Sequence, residues 1–280
     1  MPAEQELGRL SQWRDTSGLD MAMARELAER LELRAKADDE IRTREAYLDL
    51  LGVHAGERVL DVGCGSGVVT RAIARRVAPG GAVVGADPSP AFLEIAKQYA
   101  DARAAGAPIE WRVADCRQLP FPDGSFDVVL AATVLAHVPG AQSALEEMVR
   151  VTRRGGRLAV FDFDGDSFLF SHPDRALTRR IVAAMSDHAA VNPWFARALP
   201  ALLATLGFVD IRTRAFMPLE SGPGTFYAGL AERAGQVAAQ TGAITEAEHA
   251  RWLDGLKAAE KAGGFVAGRL HLFTWAQKPV

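Results

Sequence analysis

Short apolar runs and helix-period segments alternate along this chain. Residues 59–62, 82–86, 109–113, 128–132 and 157–161 are brief runs, mostly apolar. Val128-Val129-Leu130-Ala131-Ala132 has the composition of a central parallel strand buried on both faces. Between these runs lie amphipathic stretches at 68–77, 90–105 and 143–151, and another at 174–189 follows the fifth. Such alternation predicts an α/β fold with a mostly parallel sheet.

The flanks read differently. The first 56 residues are helical in pattern, over 19–33 and 38–51; Met23, Leu27 and Leu31 recur at helical spacing, and Gly52 closes the second helix. They predict an N-terminal helical cap, 1–56, packed on the sheet or serving as a lid, ahead of a main domain at 57–280. Beyond residue 165 the pattern predicts a helix at 200–206 stopped by Gly207 and a sixth strand at 208–216. Helices at 225–240 and 245–262 follow, and Thr245 with Glu248 forms a capping box. They make a helical insertion at about 222–263 between strands six and seven. The seventh strand, 265–276, alternates Leu270, Leu272 and Thr274 with His271, Phe273 and Trp275, as an antiparallel edge strand does.

Composition narrows the class. The 280 residues are 49% hydrophobic and 24% charged, with a net charge of −3, so no basic footprint for nucleic acid is present. The two cysteines, Cys64 and Cys116, make neither a disulfide framework nor a metal cluster, and no metal is expected. The start, Met-Pro-Ala-Glu-Gln-Glu, is not a signal peptide, and no uncharged apolar run approaches the ~18 residues of a membrane span. A cytoplasmic protein is expected.

The chemistry concentrates at Asp61-Val62-Gly63-Cys64-Gly65-Ser66-Gly67, where the first strand runs into a turn and then a helix. Alternate glycines free one side of the turn of Cβ atoms and permit positive φ. The opening helix is expected to aim unpaired N–H groups at a ligand. A dinucleotide site would need G-x-G-x-x-G, which Val68 breaks. Asp61, ahead of the glycines, repels a pyrophosphate and suits an ammonium or sulfonium group. Asp87-Pro88-Ser89 ends the second strand; Asp87 stands 24 positions after Gly63, the spacing of a ribose-binding acid, while Ser89 and Pro90 fit N-cap and N1 of the next helix. Asp115 and Cys116 end the third strand, and Ala132 ends the fourth.

The glycine turn resembles motif I of the class I S-adenosylmethionine-dependent methyltransferases, and the segments behind it fall in that family's order. The Phe121-Pro122-Asp123 to Val138-Pro139 run is similar to ubiquinone and menaquinone C-methylases and to natural-product tailoring enzymes; Arg154 replaces the usual proline of the family's segment before strand five. The resemblance implies a Rossmann-like seven-stranded sheet of order 3-2-1-4-5-7-6 with strand seven antiparallel. It also implies S-adenosylmethionine as cofactor, with the methionine end on Asp61 and Gly63 to Gly67, ribose on Asp87, and adenine on Asp115 and the Cys116 backbone. Arg42, Arg44 and Tyr47 are within reach of the methionine carboxylate in this reading.

A small-molecule acceptor is expected, methylated on O, N or C by in-line displacement. His137, after strand four, is the candidate general base or, alternatively, an orienting group. Asp162, Asp164, His188 and Trp194 are candidate acceptor residues; a homodimer is left open, and no membrane partner is expected. The alternatives are a nucleic-acid methyltransferase, which lacks its Asn/Asp-Pro-Pro-Tyr/Phe motif here, a nicotinamide oxidoreductase, and a cofactor-binding protein without turnover.

Overall fold

The structure is a computed structural model that describes residues 13–101 and 106–280. Two helices lead the described chain, α1 (Met21–Ala35) and α2 (Asp38–Leu51). Then come β1 (Arg58–Val62), α3 (Val68–Val77), β2 (Ala82–Asp87), α4 (Pro90–Asp101), β3 (Ile109–Val113), β4 (Phe126–Ala132) and α5 (Ala141–Val151). The second half holds β5 (Thr152–Phe170), α6 (Arg175–His188), α7 (Phe195–Thr205), β6 (Val209–Phe216), β7 (Leu219–Ser221), α8 (Phe226–Gln240), α9 (Glu246–Lys261) and β8 (Val266–Gln277). The part of the helix expected at 102–105, and residues 1–12 of the expected cap, lie outside the described residues.

The sheet runs β3-β2-β1-β4-β5-β8-β6, with β8 antiparallel to both β5 and β6. This is the expected order with β8 as the seventh strand. A short eighth strand, β7, also pairs with β8; its three residues are too few to carry a periodic signal. The expected edge role of the final strand is corrected: β8 lies inside the sheet, and β6, mostly exposed, forms the edge. Its alternation arises because each face of β8 packs on a different layer. β5 is also longer than the expected 157–161. The turn predicted at Arg153-Arg154-Gly155-Gly156 is a register irregularity inside it, and a second lies between Phe163 and Phe168. α7 begins at Phe195, with Pro200 inside it, not at its start.

Strand side chains alternate between two cores. On one face Val59, Val83, Val128 and Phe161 meet Tyr47 and Leu48 of α2 and Ile73 of α3. On the other, Leu60, Val84, Val129 and Val160 meet Leu145 and Met148 of α5 and Leu203 of α7. α1 packs Leu27 and Ala28 against Phe92 and Ile95 of α4. A separate apolar cluster joins α6, α8 and α9 around Tyr227 and Trp252, so the helical insertion carries its own core beside the carboxyl ends of the parallel strands.

Candidate active site

One cavity of about 880 Å³ opens at the carboxyl ends of β1, β2 and β4, under α1 and α8. In open α/β sheets ligands settle there, and the volume falls in the range of small-molecule sites.

β1 carries Asp61 into the cavity floor. Its Oδ2 accepts from the Thr70 hydroxyl of α3 at 2.6 Å. Burial, with the Asp87 charge adding, pushes its carboxyl up to about 7. Gly63, Gly65 and Gly67 all adopt positive φ. A Cβ on Gly63 would stand 2.6 Å from Val134, and one on Gly67 would stand 2.7 Å from Trp111. The glycines are therefore demanded by neighbouring protein as much as by a ligand.

The turn's own amides, ahead of the helix whose N–H groups are expected to face a ligand, are mostly spent within the protein. Gly63 and Cys64 both donate to the Ala86 carbonyl, at 2.7 and 3.0 Å, and Gly67 donates to the Cys64 carbonyl. Gly65 donates to Asp87 Oδ2 at 2.9 Å. A turn whose amides are spent in this way is not an anion nest.

Asp87 lines the cavity from the end of β2. Its other oxygen accepts from the Ser89 amide at 2.9 Å, and burial pushes it up to about 6. Each oxygen keeps a lone pair for a further donor. Pro88, Cys64, Cys116 and Ala132 also line the cavity. Ser89 and Gly67 do not: Ser89 caps α4, its Oγ accepting from the Phe92 amide, and Gly67 packs under Trp111. Asp115 lines the cavity and is clasped by the Arg117 side chain and amide, whose hydrogen bonds hold its carboxyl below the usual range.

The chain leaves β4 through a strained residue. Thr133 has φ 57°, uncommon for a β-branched side chain, and donates to the Phe161 carbonyl at 2.6 Å. Asp162, wholly buried, holds the segment that follows: its Oδ2 accepts from the Ala136 amide at 2.9 Å. Asn192 adds side-chain donation to the carbonyls of Leu135 and Val138. His137 thereby faces the cavity, and among the described residues its Nδ1 is buried with no hydrogen-bond partner. Burial, with Arg269 and Arg34 nearby, pulls its imidazole down to about 3, so it is neutral at physiological pH.

The four residues considered for the acceptor lie elsewhere. Asp162 staples the loop, and Asp164 is held by Nε and one terminal nitrogen of Arg197. Trp194 is 57% exposed beneath the Arg197 guanidinium. None of these three, nor His188, lines the cavity. Arg44 and Tyr47 do line it, while Arg42 is exposed and pairs with Asp39.

Two groups of buried polar residues escaped the sequence reading. In the first, Glu32 of α1 accepts from Arg71 at 2.6 Å and from the Ser66 hydroxyl at 3.1 Å, while Arg71 donates to the Ser66 carbonyl. α1 is thus tied to the glycine turn. In the second, Glu40 accepts from Arg34 at 2.7 Å and from Tyr227 at 3.2 Å. Arg34 and Arg269 both approach His271 Nε2 at 3.3 Å, and His271 Nδ1 lies 3.2 Å from the Arg269 carbonyl. Two guanidinium groups on Nε2 fix the neutral Nδ1–H tautomer. The only sequence signal was a charged residue and a histidine two positions apart on β8, sharing an inward face.

The sheet with its inserted antiparallel strand, the glycine turn and the acids at successive strand ends define the class I S-adenosylmethionine-dependent methyltransferase architecture. Known proteins agree. Residues 60–160 match the methyltransferase domain family. The chain is 43% identical over 132 residues to a demethylmenaquinone methyltransferase of Tropheryma whipplei, covering 47% of this chain and 49% of that protein. It is 42% identical over 116 residues to a ubiquinone/menaquinone biosynthesis C-methyltransferase of Hahella chejuensis, covering 41% and 47%. The chain spans about half the length of these curated relatives. A solved putative methyltransferase from Bacillus halodurans superposes with a TM-score of 0.57 at 20% identity, over 85% of this chain and 99% of its own. The solved cyclase SpnF superposes at 0.54 and 22% identity, over 85% and 81%, which extends the likeness of fold to a protein named for other chemistry. The chain has the fold of the class I S-adenosylmethionine-dependent methyltransferases, matches the methyltransferase domain family over residues 60–160, and is similar over part of its length to the demethylmenaquinone and ubiquinone/menaquinone C-methyltransferases.

Proposed function

We propose that this protein transfers a methyl group from S-adenosylmethionine to an O, N or C atom of a small-molecule acceptor. The observation that carries the reading is the row of acids, Asp61, Asp87 and Asp115, at the ends of three adjacent parallel strands around one cavity. This donor set fits the cofactor: a nucleoside with a diol, an exocyclic amine and an ammonium group offers hydrogen-bond donors, and these acids accept them. The spent amides of the glycine turn fit it too, since they leave no nest for a pyrophosphate.

Asp87, preset by the Gly65 and Ser89 amides, takes the ribose hydroxyls. Asp115 and the Cys116 backbone take the adenine edge, and Asp61 faces the methionine end. Arg44, whose Nε is buried without a partner among the described residues, faces the methionine carboxylate. When bound, the cofactor would supply a methyl group on a sulfonium, a leaving group that an electron pair of the acceptor could displace as S-adenosylhomocysteine, with the acceptor's proton passing to solvent. The protein aligns the two and excludes water, which is a large share of what such a reaction needs.

His137 borders the acceptor. A basicity as low as about 3 makes it a poor general base near pH 7, so it serves as a neutral hydrogen-bonding group that orients the nucleophile. Calorimetric titration with S-adenosylhomocysteine tests the reading: micromolar, one-to-one binding is expected. Failure to bind, with NADH binding instead, would overturn it.

A further inference from the structure

The cavity has a second half that the cofactor reading leaves without an occupant. The acids for the nucleoside belong to β1, β2 and β3. On the other side, beyond β4 and β5, stands Arg269 of β8, 7% exposed and lining the cavity. Its register partner across the sheet is Phe168, while His271 faces Phe163. Its guanidinium carbon lies 4.0 Å over the Phe163 ring and 5.9 Å from that of Phe168.

The hydrogen-bonding state of Arg269 is unusual for so buried a cation. Nε donates to His271 Nε2, a neutral acceptor already shared with Arg34. Neither terminal nitrogen has a partner among the described residues, and no carboxylate lies within 4.0 Å. Glu40 is committed to Arg34 and Tyr227, and Asp162 to the loop amides. The linked set of Tyr227, Glu40, Arg34, His271 and Arg269 therefore holds one carboxylate and two guanidinium groups, an excess of one positive charge. A buried, unpaired charge is costly and is normally matched. The two terminal nitrogens form the fork that accepts a planar carboxylate. This half of the cavity has an apolar lining, Phe163 and Phe168 from β5, Met185 from α6, and Phe226 and Leu230 from the insertion.

We propose that Arg269 is an acceptor-binding residue and that the acceptor is an apolar carboxylic acid. Its carboxylate docks on the free Arg269 fork, and its body lies along Phe163 and Phe168 toward His137. This rests on the methyl-transfer reading. His137 stands 5.3 Å, ring to ring, from Phe163, so the carboxylate and the orienting imidazole flank the same aromatic plate. One fork suits a monoanion. A phosphate dianion would call for further donors at the same place.

The test uses the full chain saturated with S-adenosylhomocysteine and measures binding of benzoate and cinnamate beside benzamide, cinnamamide and phenyl phosphate, in wild type and in Arg269→Met and Arg269→Lys. Each carboxylate is expected to bind wild type at least about tenfold more tightly than its amide. Arg269→Met is expected to abolish that preference and Arg269→Lys to restore part of it, with S-adenosylhomocysteine affinity unchanged in both. The wild-type comparison stands even if a variant fails to fold. Equal binding of acid and amide, a preference for phenyl phosphate, or no carboxylate binding to a protein that takes S-adenosylhomocysteine would each overturn the proposal. A tenfold loss of S-adenosylhomocysteine in Arg269→Met would also overturn it, by assigning the arginine to the methionine carboxylate. Absence of S-adenosylhomocysteine binding to wild type would instead bring down the methyl-transfer reading on which the proposal stands.

Discussion

Asp87 is held in one pose by two amides, Gly65 on one oxygen and Ser89 on the other. A ligand hydroxyl therefore meets an acceptor whose position needs no further ordering. Replacing it with alanine removes a charged acceptor and also frees the Gly65 amide. Asp87→Ala is expected to weaken S-adenosylhomocysteine by ten- to a hundredfold, about 1.4–3 kcal/mol, while the circular dichroism spectrum stays native. Calorimetry on both proteins checks this.

The pH dependence follows from burial. The carboxyls of Asp61 and Asp87 lie at about 7 and about 6, above the 3.8 of a free aspartate. The folded protein binds these protons more tightly than the unfolded chain. Their stabilising contribution is thus complete below about pH 4 and is lost as pH rises through 6 to 7. In the proposed reading the ligand needs the ionised forms, so its affinity is expected to move the opposite way. S-adenosylhomocysteine is expected to bind best above pH 7 and to weaken as pH falls below 6, and Asp87→Asn is expected to flatten that fall. Titrations from pH 8 to pH 5 decide it. Asp61 and Asp87 stood out in the sequence because one immediately precedes the glycine turn and the other ends a strand 24 positions after Gly63. Arg269 did not: it is tied to Arg34 only through His271, which lies 237 positions from Arg34, and no local pattern encodes such a pairing.

At the scale of elements, α1 is fastened to the glycine turn by a buried ion pair. Glu32 and Arg71 have side chains only 9% and 8% exposed, and both bind Ser66. Losing one member of such a pair strands the other. Glu32→Ala is expected to cost about 3 kcal/mol in denaturant unfolding, and to weaken S-adenosylhomocysteine although Glu32 itself does not line the cavity. An unchanged unfolding midpoint would reduce the pair to ornament. Elements with strong local signals, such as α2 with its Gly52 cap in left-handed conformation and α9 with its capping box, were readable almost to the residue. Those whose limits depend on partners were not. β5 extends to Phe170 because β8 is there to pair with it, and α7 accommodates Pro200 within its length because helix packing outweighs one missing hydrogen bond.

Across the whole molecule, the described helices form a roof of two origins. α1 brings Met23, Arg30 and Leu31 to the cavity, and α8 brings Phe226, Leu230 and Arg233. Among the described residues no helix is long and apolar enough to cross a membrane. A ligand beneath this roof should steady it. Saturating S-adenosylhomocysteine is expected to slow amide hydrogen exchange in residues 13–35 and 226–240 more than in α5, which packs on the far side of the sheet. A protein with the ligand at a hundred times its Kd gains about 2.7 kcal/mol overall. Uniform slowing would mean global stabilisation alone, with no local closure. The α/β class and the strand order were visible in the alternation of short apolar runs with helical stretches. The roof's second core was not, because its clustering of α6, α8 and α9 is decided only in three dimensions.

The place of β8 bears on how the protein is born. It fills the gap between β5 and β6, both of which leave the ribosome well before it. Until it arrives, β5 presents a long unpaired flank, the kind of edge along which nascent chains stick to one another. The half of the cavity built on β1 to β4, proposed above for the nucleoside, can assemble during synthesis. The half of the cavity that carries Arg269 forms only once β8 has slotted between β5 and β6, after the strands that bear Asp61 and Asp87 have been made.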